Sequence, residues 1–136
     1  MSARRLGFGT RVLAWWPLWL AGSVTGVVIS AWLSLGTAGP VIGSVSDKWQ
    51  HLVGYAVLML WFCGLFERRH HGRLLLACMG YGAAMEILQG TLTAGRQADW
   101  LDAAANASGV LVALMLARTG LDRWALWLER VLAWRR

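Results

Sequence analysis

The chain has 136 residues, the size of one domain, of which 57% are hydrophobic and only 15% charged, with a mean hydropathy of +0.49. So little charge excludes a disordered chain and two cysteines exclude a disulfide scaffold, while the apolar fraction exceeds what a small water-soluble core usually hides and favours an integral membrane protein. A net charge of +6 would suit nucleic acid in a soluble protein, but its placement beside long apolar runs points to a lipid bilayer and to no nucleic-acid partner.

Residues 1–11 form a basic N-terminus with Arg4, Arg5 and Arg11. From Val12 to Ser46 the chain holds no Asp, Glu, Lys or Arg, a run of 35 residues. About 20 apolar residues span a bilayer, so this is one crossing plus a loop. The first helix is predicted over residues 12–35, because Gly36, Gly39, Pro40 and Gly43 break any continuation. Pro17 lies near its start or kinks it. The run is too long for the roughly 7–15-residue core of a cleavable signal and reads as an uncleaved anchor. Further helices are predicted over residues 47–66, 74–92 and 99–117. In the basic tail, residues 118–136, Leu121, Trp124, Leu128 and Leu132 recur at helical spacing with Arg123 and Arg130 on other faces, the pattern of an interfacial amphipathic helix. The predicted class is all-α: an integral membrane bundle of four transmembrane helices over residues 12–117, followed by that tail.

Orientation follows from Lys and Arg, which are retained on the cytoplasmic side. Eleven of the thirteen fall before helix one, between helices two and three, or after helix four; only Lys48 and Arg96 fall on the other side. A plasma-membrane protein with both termini cytoplasmic is expected. Trp15, Trp16, Trp19, Trp49, Trp100, Trp124, Trp127 and Trp134 lie near the inferred interfaces, where indoles anchor. Cys63 and Cys78 read as small packing residues, Gly80 and Ala84 as positions of helix contact, and His70 and His71 as headgroup-facing loop residues.

With alternating crossings, the unusual polar residues collect at the outer side. Lys48, His51 and Tyr55 share a face of helix two; Glu86 and Gln89 lie one turn apart on helix three; Asp99, Asp102 and Asn106 share a face of helix four; Arg96 lies in the loop before it. Ionisable groups inside a bilayer are costly, so they face the bundle interior and pair. Four acids, Asp47, Glu86, Asp99 and Asp102, then meet the cations Lys48 and Arg96 and the titratable His51. Either a carboxyl keeps its proton, His51 is charged, or a cation binds.

The order Asp47-Lys48-x-x-His51-x-x-x-Tyr55, Glu86-x-x-Gln89, Arg96-x-x-Asp99-x-x-Asp102-x-x-x-Asn106-x-x-Gly109 resembles the signature of the VanZ-like family, named for an accessory protein of glycopeptide antibiotic resistance. The resemblance spans residues 47 to 109; Ala113 stands where a further small residue, commonly Gly, is seen. It implies a small multi-helix membrane domain and a role in the cell envelope. Two functions fit. In an enzyme acting on a lipid-linked envelope substrate, His51, Glu86, Asp99 and Asp102 would be the acid, base and proton-carrying groups, and Lys48, Tyr55, Gln89, Arg96 and Asn106 would bind substrate. In a non-enzymatic scaffold or a protein that binds an envelope lipid or antibiotic, Asp99 caps its helix, Glu86 bridges to Lys48 or Arg96, and Gln89 and Asn106 are interhelical hydrogen bonds. Metal and cofactor are left open; ion transport would need polar residues through the inner half, where few occur.

Overall fold

The computed structural model describes residues 9–35, 47–92 and 99–134; among these the regular structure is all helical, and the segment ahead of the first helix forms an isolated antiparallel bridge between Thr10 and Phe66. Helix α1 runs Trp16–Leu35, α2 Asp47–Leu65, α3 His71–Leu92, α4 Trp100–Arg118 and α5 Trp124–Trp134, with 3-10 turns at Arg68–His70 and Leu121–Arg123. Predicted and observed helices agree within about one turn. The first starts later than predicted because the chain ahead of it is extended: Arg11 N donates to Leu65 O at 2.8 Å and Glu67 N to Gly9 O at 3.0 Å. Pro17 lies in the first turn of α1, where a missing N–H costs nothing, so it opens the helix instead of kinking it. The third starts earlier because the 3-10 turn leads straight into it.

Two ends are pinned by different chemistry. At one, Asp122 is fully buried between Arg11, whose Nη2 donates to Oδ2 at 2.6 Å, and Arg68, whose Nε and Nη2 donate at 2.8 and 2.7 Å. This bidentate pair joins the N-terminal segment, the α2–α3 link and the α4–α5 link at one end of the bundle. The Arg68 guanidinium holds the Asp122 carboxyl below the usual carboxylate range, against the opposing effect of burial. At the other end Lys48 bonds Asp99 across α2 and α4, and Gln89 Nε2 donates to Ser34 O across α3 and α1. The four long helices therefore run in alternating directions.

The tail departs from the expected face. Trp124, Ala125 and Leu128 pack against Leu13, Trp19 and Leu65, whereas Leu121 is exposed. Glu129, which the periodicity assigns to no contact, accepts from Ala14 N, Trp15 N and Trp19 Nε1 at 2.9, 2.9 and 2.8 Å. Trp124 Nε1 donates to Leu60 O at 3.1 Å, and the Trp19, Trp61 and Trp124 rings meet at 5.0–6.0 Å. These indoles lock helices together instead of standing as separate anchors. His71 is likewise buried, its Nε2 3.4 Å from Phe66 O, and the His70 ring packs against Gly9; neither is a free loop residue.

Small residues set the central packing. A Cβ on Gly109 would overlap Leu52 O and lie 3.1 Å from Ala56 N, so only glycine lets the α4 backbone approach α2 this closely. Below it Val110, Ala113 and Ala117 pack against Met59, Cys63 and Cys78, whose thiols are free and buried. Gly82, facing Tyr55 and Asn106, is the contact glycine of α3. Gly80 and Ala84 are exposed, a correction to the expected contact face. Gly120 ends α4 in the left-handed region at φ 112°, the backbone state that glycine supplies without a Cβ clash.

Two helices, Trp16–Leu35 and Trp100–Arg118, are long and apolar enough to cross a membrane.

A candidate polar site between α2, α3 and α4

Helical spacing aims the predicted residues at one place. Asp47, Lys48, His51 and Tyr55 lie on α2, Glu86 on α3 and Asp102 and Asn106 on α4, and the Gly109 approach draws α2 and α4 together one turn below Asn106. Asp99 is the N-cap of α4, its Oδ1 accepting from Leu101 N at 2.8 Å. Its Oδ2 and Asp102 Oδ1 accept from Lys48 Nζ at 2.8 and 2.9 Å. Glu86 therefore does not bridge to Lys48. Its Oε1 accepts from Asn106 Nδ2 at 3.3 Å and lies 3.8 Å from His51 Nδ1.

Asn106 is the hinge of the network. A carboxylate only accepts, so the amide nitrogen faces Glu86 and the amide oxygen faces His51 Nδ1 at 3.0 Å. Nδ1 of His51 then donates to the Asn106 oxygen, and Nε2 lies 3.9 Å from both Asp47 Oδ2 and Asp102 Oδ2. His51, Glu86, Asp102 and Asn106 are all buried. The arrangement can hold a proton or a cation between His51 and two carboxylates, while Asn106 orients the imidazole against Glu86.

A cavity of about 110 Å³ opens beside this centre, lined by His51, Tyr55, Asp47 and Gln50 of α2, Ser30 and Ser34 of α1, and Gln89 of α3. Gln89 belongs to this wall, bonded to α1, and not to the His51–Asn106–Glu86 chain. Tyr55 packs against Tyr81 at 5.9 Å, but its hydroxyl and Glu86 Oε2 are buried without a hydrogen-bond partner among the described residues. An ordinary packing tyrosine satisfies its hydroxyl on a neighbour, and this one does not among the described residues. Arg96, expected as a second cation, lies outside the described residues. The sequence reading passed over Ser30, Ser34 and Gln50; two of the four hydroxyls of α1 standing one turn apart at its C-terminal end were the available signal.

No family model, curated protein or solved structure matches the chain.

Proposed function

We propose that the chain is a VanZ-like integral membrane protein of the cell envelope, in which α1 to α4 cross the plasma membrane, both termini are cytoplasmic, and the polar centre opens outward to act on a lipid-linked envelope substrate. One observation carries this reading: His51, Glu86 and Asp102, buried on three different helices, meet beside a cavity inside a bundle whose outside is apolar. Val28, Trp32, Val57, Leu76, Ile87 and Met115 are all exposed, Leu76 by 70%. That distribution suits a bilayer, where outward apolar surface costs nothing and charge belongs in the interior.

α2 and α3 carry the polar stripes, which lower their mean hydropathy, yet the stripes turn inward and the lengths, 19 and 22 residues, suffice to span. Arg11, Arg68 and Asp122 lie at the end where most basic residues cluster, which supports a cytoplasmic assignment for that end. His51 is suited to carry a proton, Glu86 and Asp102 to accept or give one, and Lys48 and Arg96 to hold an anionic group. A contribution to glycopeptide resistance belongs to the same proposal.

A static network is the second reading, favoured by the pairing of Lys48 with two carboxylates and of His51 with Asn106. Glu86 Oε2 and the Tyr55 hydroxyl weigh toward a site, since buried groups with no hydrogen-bond partner among the described residues are available to a ligand or water. His51→Ala and Asp102→Asn separate the two. The site predicts loss of the envelope phenotype with membrane insertion and melting in detergent retained; unfolding that accounts for the loss would support the network.

A further inference from the structure

The geometry points to a divalent transition-metal site formed by Asp47, His51 and Asp102, and we propose that zinc or a similar ion binds there. This deepens the reading of the polar centre as a site and rests on it. The first support is distance. One ligand atom from each of the three residues lies within 4.8 Å of the others, and His51 Nε2 is 3.9 Å from a carboxylate oxygen of both acids. A point equidistant from three such atoms lies about 2.3–2.5 Å from each, so a shift of a few tenths of an ångström brings all three to zinc–ligand distances of about 2.0–2.2 Å.

The second support is independent of the acids. His51 is nine-tenths buried, and the Asn106 amide, oriented by Glu86, fixes the proton on Nδ1. Nε2, the nitrogen turned toward the two carboxylates, is therefore the one left to meet a metal ion. An imidazole whose far nitrogen is held by an outer partner is the usual arrangement of a metal-ligating histidine. The third support is charge. Lys48 occupies Asp102 Oδ1 and leaves Oδ2 toward His51. A divalent ion bound there would place its charge between the Asp102 and Asp47 carboxylates, one of which is buried.

One nitrogen and two oxygens suit zinc, manganese or iron better than calcium, which takes six to eight oxygens. Three protein ligands leave a coordination position open, which is how such an ion meets an anionic oxygen of a phosphate ester or a water. The substrate class favoured is thus a phosphorylated lipid headgroup.

The test uses the full chain in detergent, stripped with chelator, desalted, and titrated with Zn2+ alone. The expected result is one Zn2+ per chain for the wild type, at least tenfold weaker binding for Asp47→Asn, and loss for His51→Gln. Glu67→Gln, in the link beyond the far end of α2, should bind like the wild type. Co2+ in place of Zn2+ should give visible d–d bands that change in His51→Gln. If His51→Gln fails to fold, Asp47→Asn carries the comparison, since its side chain is half exposed at the first position of α2. A wild type that takes up no Zn2+, or variants that bind as it does, would overturn the site. Metal binding is read without any envelope phenotype, so its failure and the failure of the proposed function are separate results.

Discussion

Gly109→Ala is the sharpest test of how the fold builds the polar centre. The added Cβ would overlap Leu52 O, a backbone atom that no rotamer change can move. Ordinary carbon–oxygen contact then requires α2 and α4 to part by about 1 Å. His51 precedes Leu52 by one residue and Asn106 precedes Gly109 by one turn, so the same shift stretches His51–Asn106 from 3.0 Å and Lys48–Asp102 from 2.9 Å to about 4 Å, beyond hydrogen-bond range. Overpacking costs about 1–3 kcal/mol and two lost interhelical hydrogen bonds about 1–2 kcal/mol more. The expected fall in melting temperature is about 10 °C, read by tryptophan fluorescence in detergent. Gly26→Ala and Gly80→Ala are the controls: an added Cβ meets nothing within 4 Å at either position. Both should melt like the wild type or slightly above it, because alanine is the better helix former. Gly109→Ala melting together with these controls would refute the close α2–α4 approach.

Three further outcomes follow from the packing. Asp122→Asn removes the buried charge that joins Arg11 and Arg68; Arg68 is half exposed and keeps its hydration, so the loss is about 2–3 kcal/mol, measured by thermal melts. Because the folded Asp122 carboxyl sits below its ordinary value, its stabilisation is present above the unfolded pKa and is lost as pH falls through the folded one. Acid titration should thus destabilise the wild type more steeply than Asp122→Asn, and parallel acid limbs would count against the ion pair. Glu129→Ala leaves Ala14 N, Trp15 N and Trp19 Nε1 without their acceptor, costs about 1–2 kcal/mol, and should expose α5 to limited proteolysis; unchanged protection would contradict its docking. For topology, Gly43→Cys should react with an impermeant thiol reagent in intact cells and Gly72→Cys, where an added Cβ meets nothing, should not; the reverse labelling would invert the orientation.

Helix positions were legible in the sequence because apolar runs, glycine breaks and the Asp99 cap are local signals. So was the convergence of Lys48, His51, Glu86, Asp102 and Asn106, since i, i+3 and i+7 spacing fixes which side chains share a face. Partner choice was not. Whether Lys48 meets Glu86 or Asp102 depends on the depth at which α2 crosses α4, and that depth is set by one glycine against one carbonyl. Arg11 and Arg68 were counted only as charges of the cytoplasmic side, and Asp122 went unread, because the members of this cluster lie up to 111 residues apart in the chain. Glu129 escaped notice for the same reason: its partners are backbone N–H groups at the start of α1, and no sequence pattern marks them. Gln89 lines the cavity with Tyr55 but bonds to α1, whose lack of charged residues gave no sign that it supplies the opposite wall.

The central claim is that the polar centre receives an envelope substrate. Native mass spectrometry of the protein released from membranes, wild type beside Asp102→Asn, tests it most directly. The account predicts a lipid-linked species retained by the wild type and lost from the variant while both stay folded. A wild type that carries no such species, with a variant that is merely less stable, would contradict it.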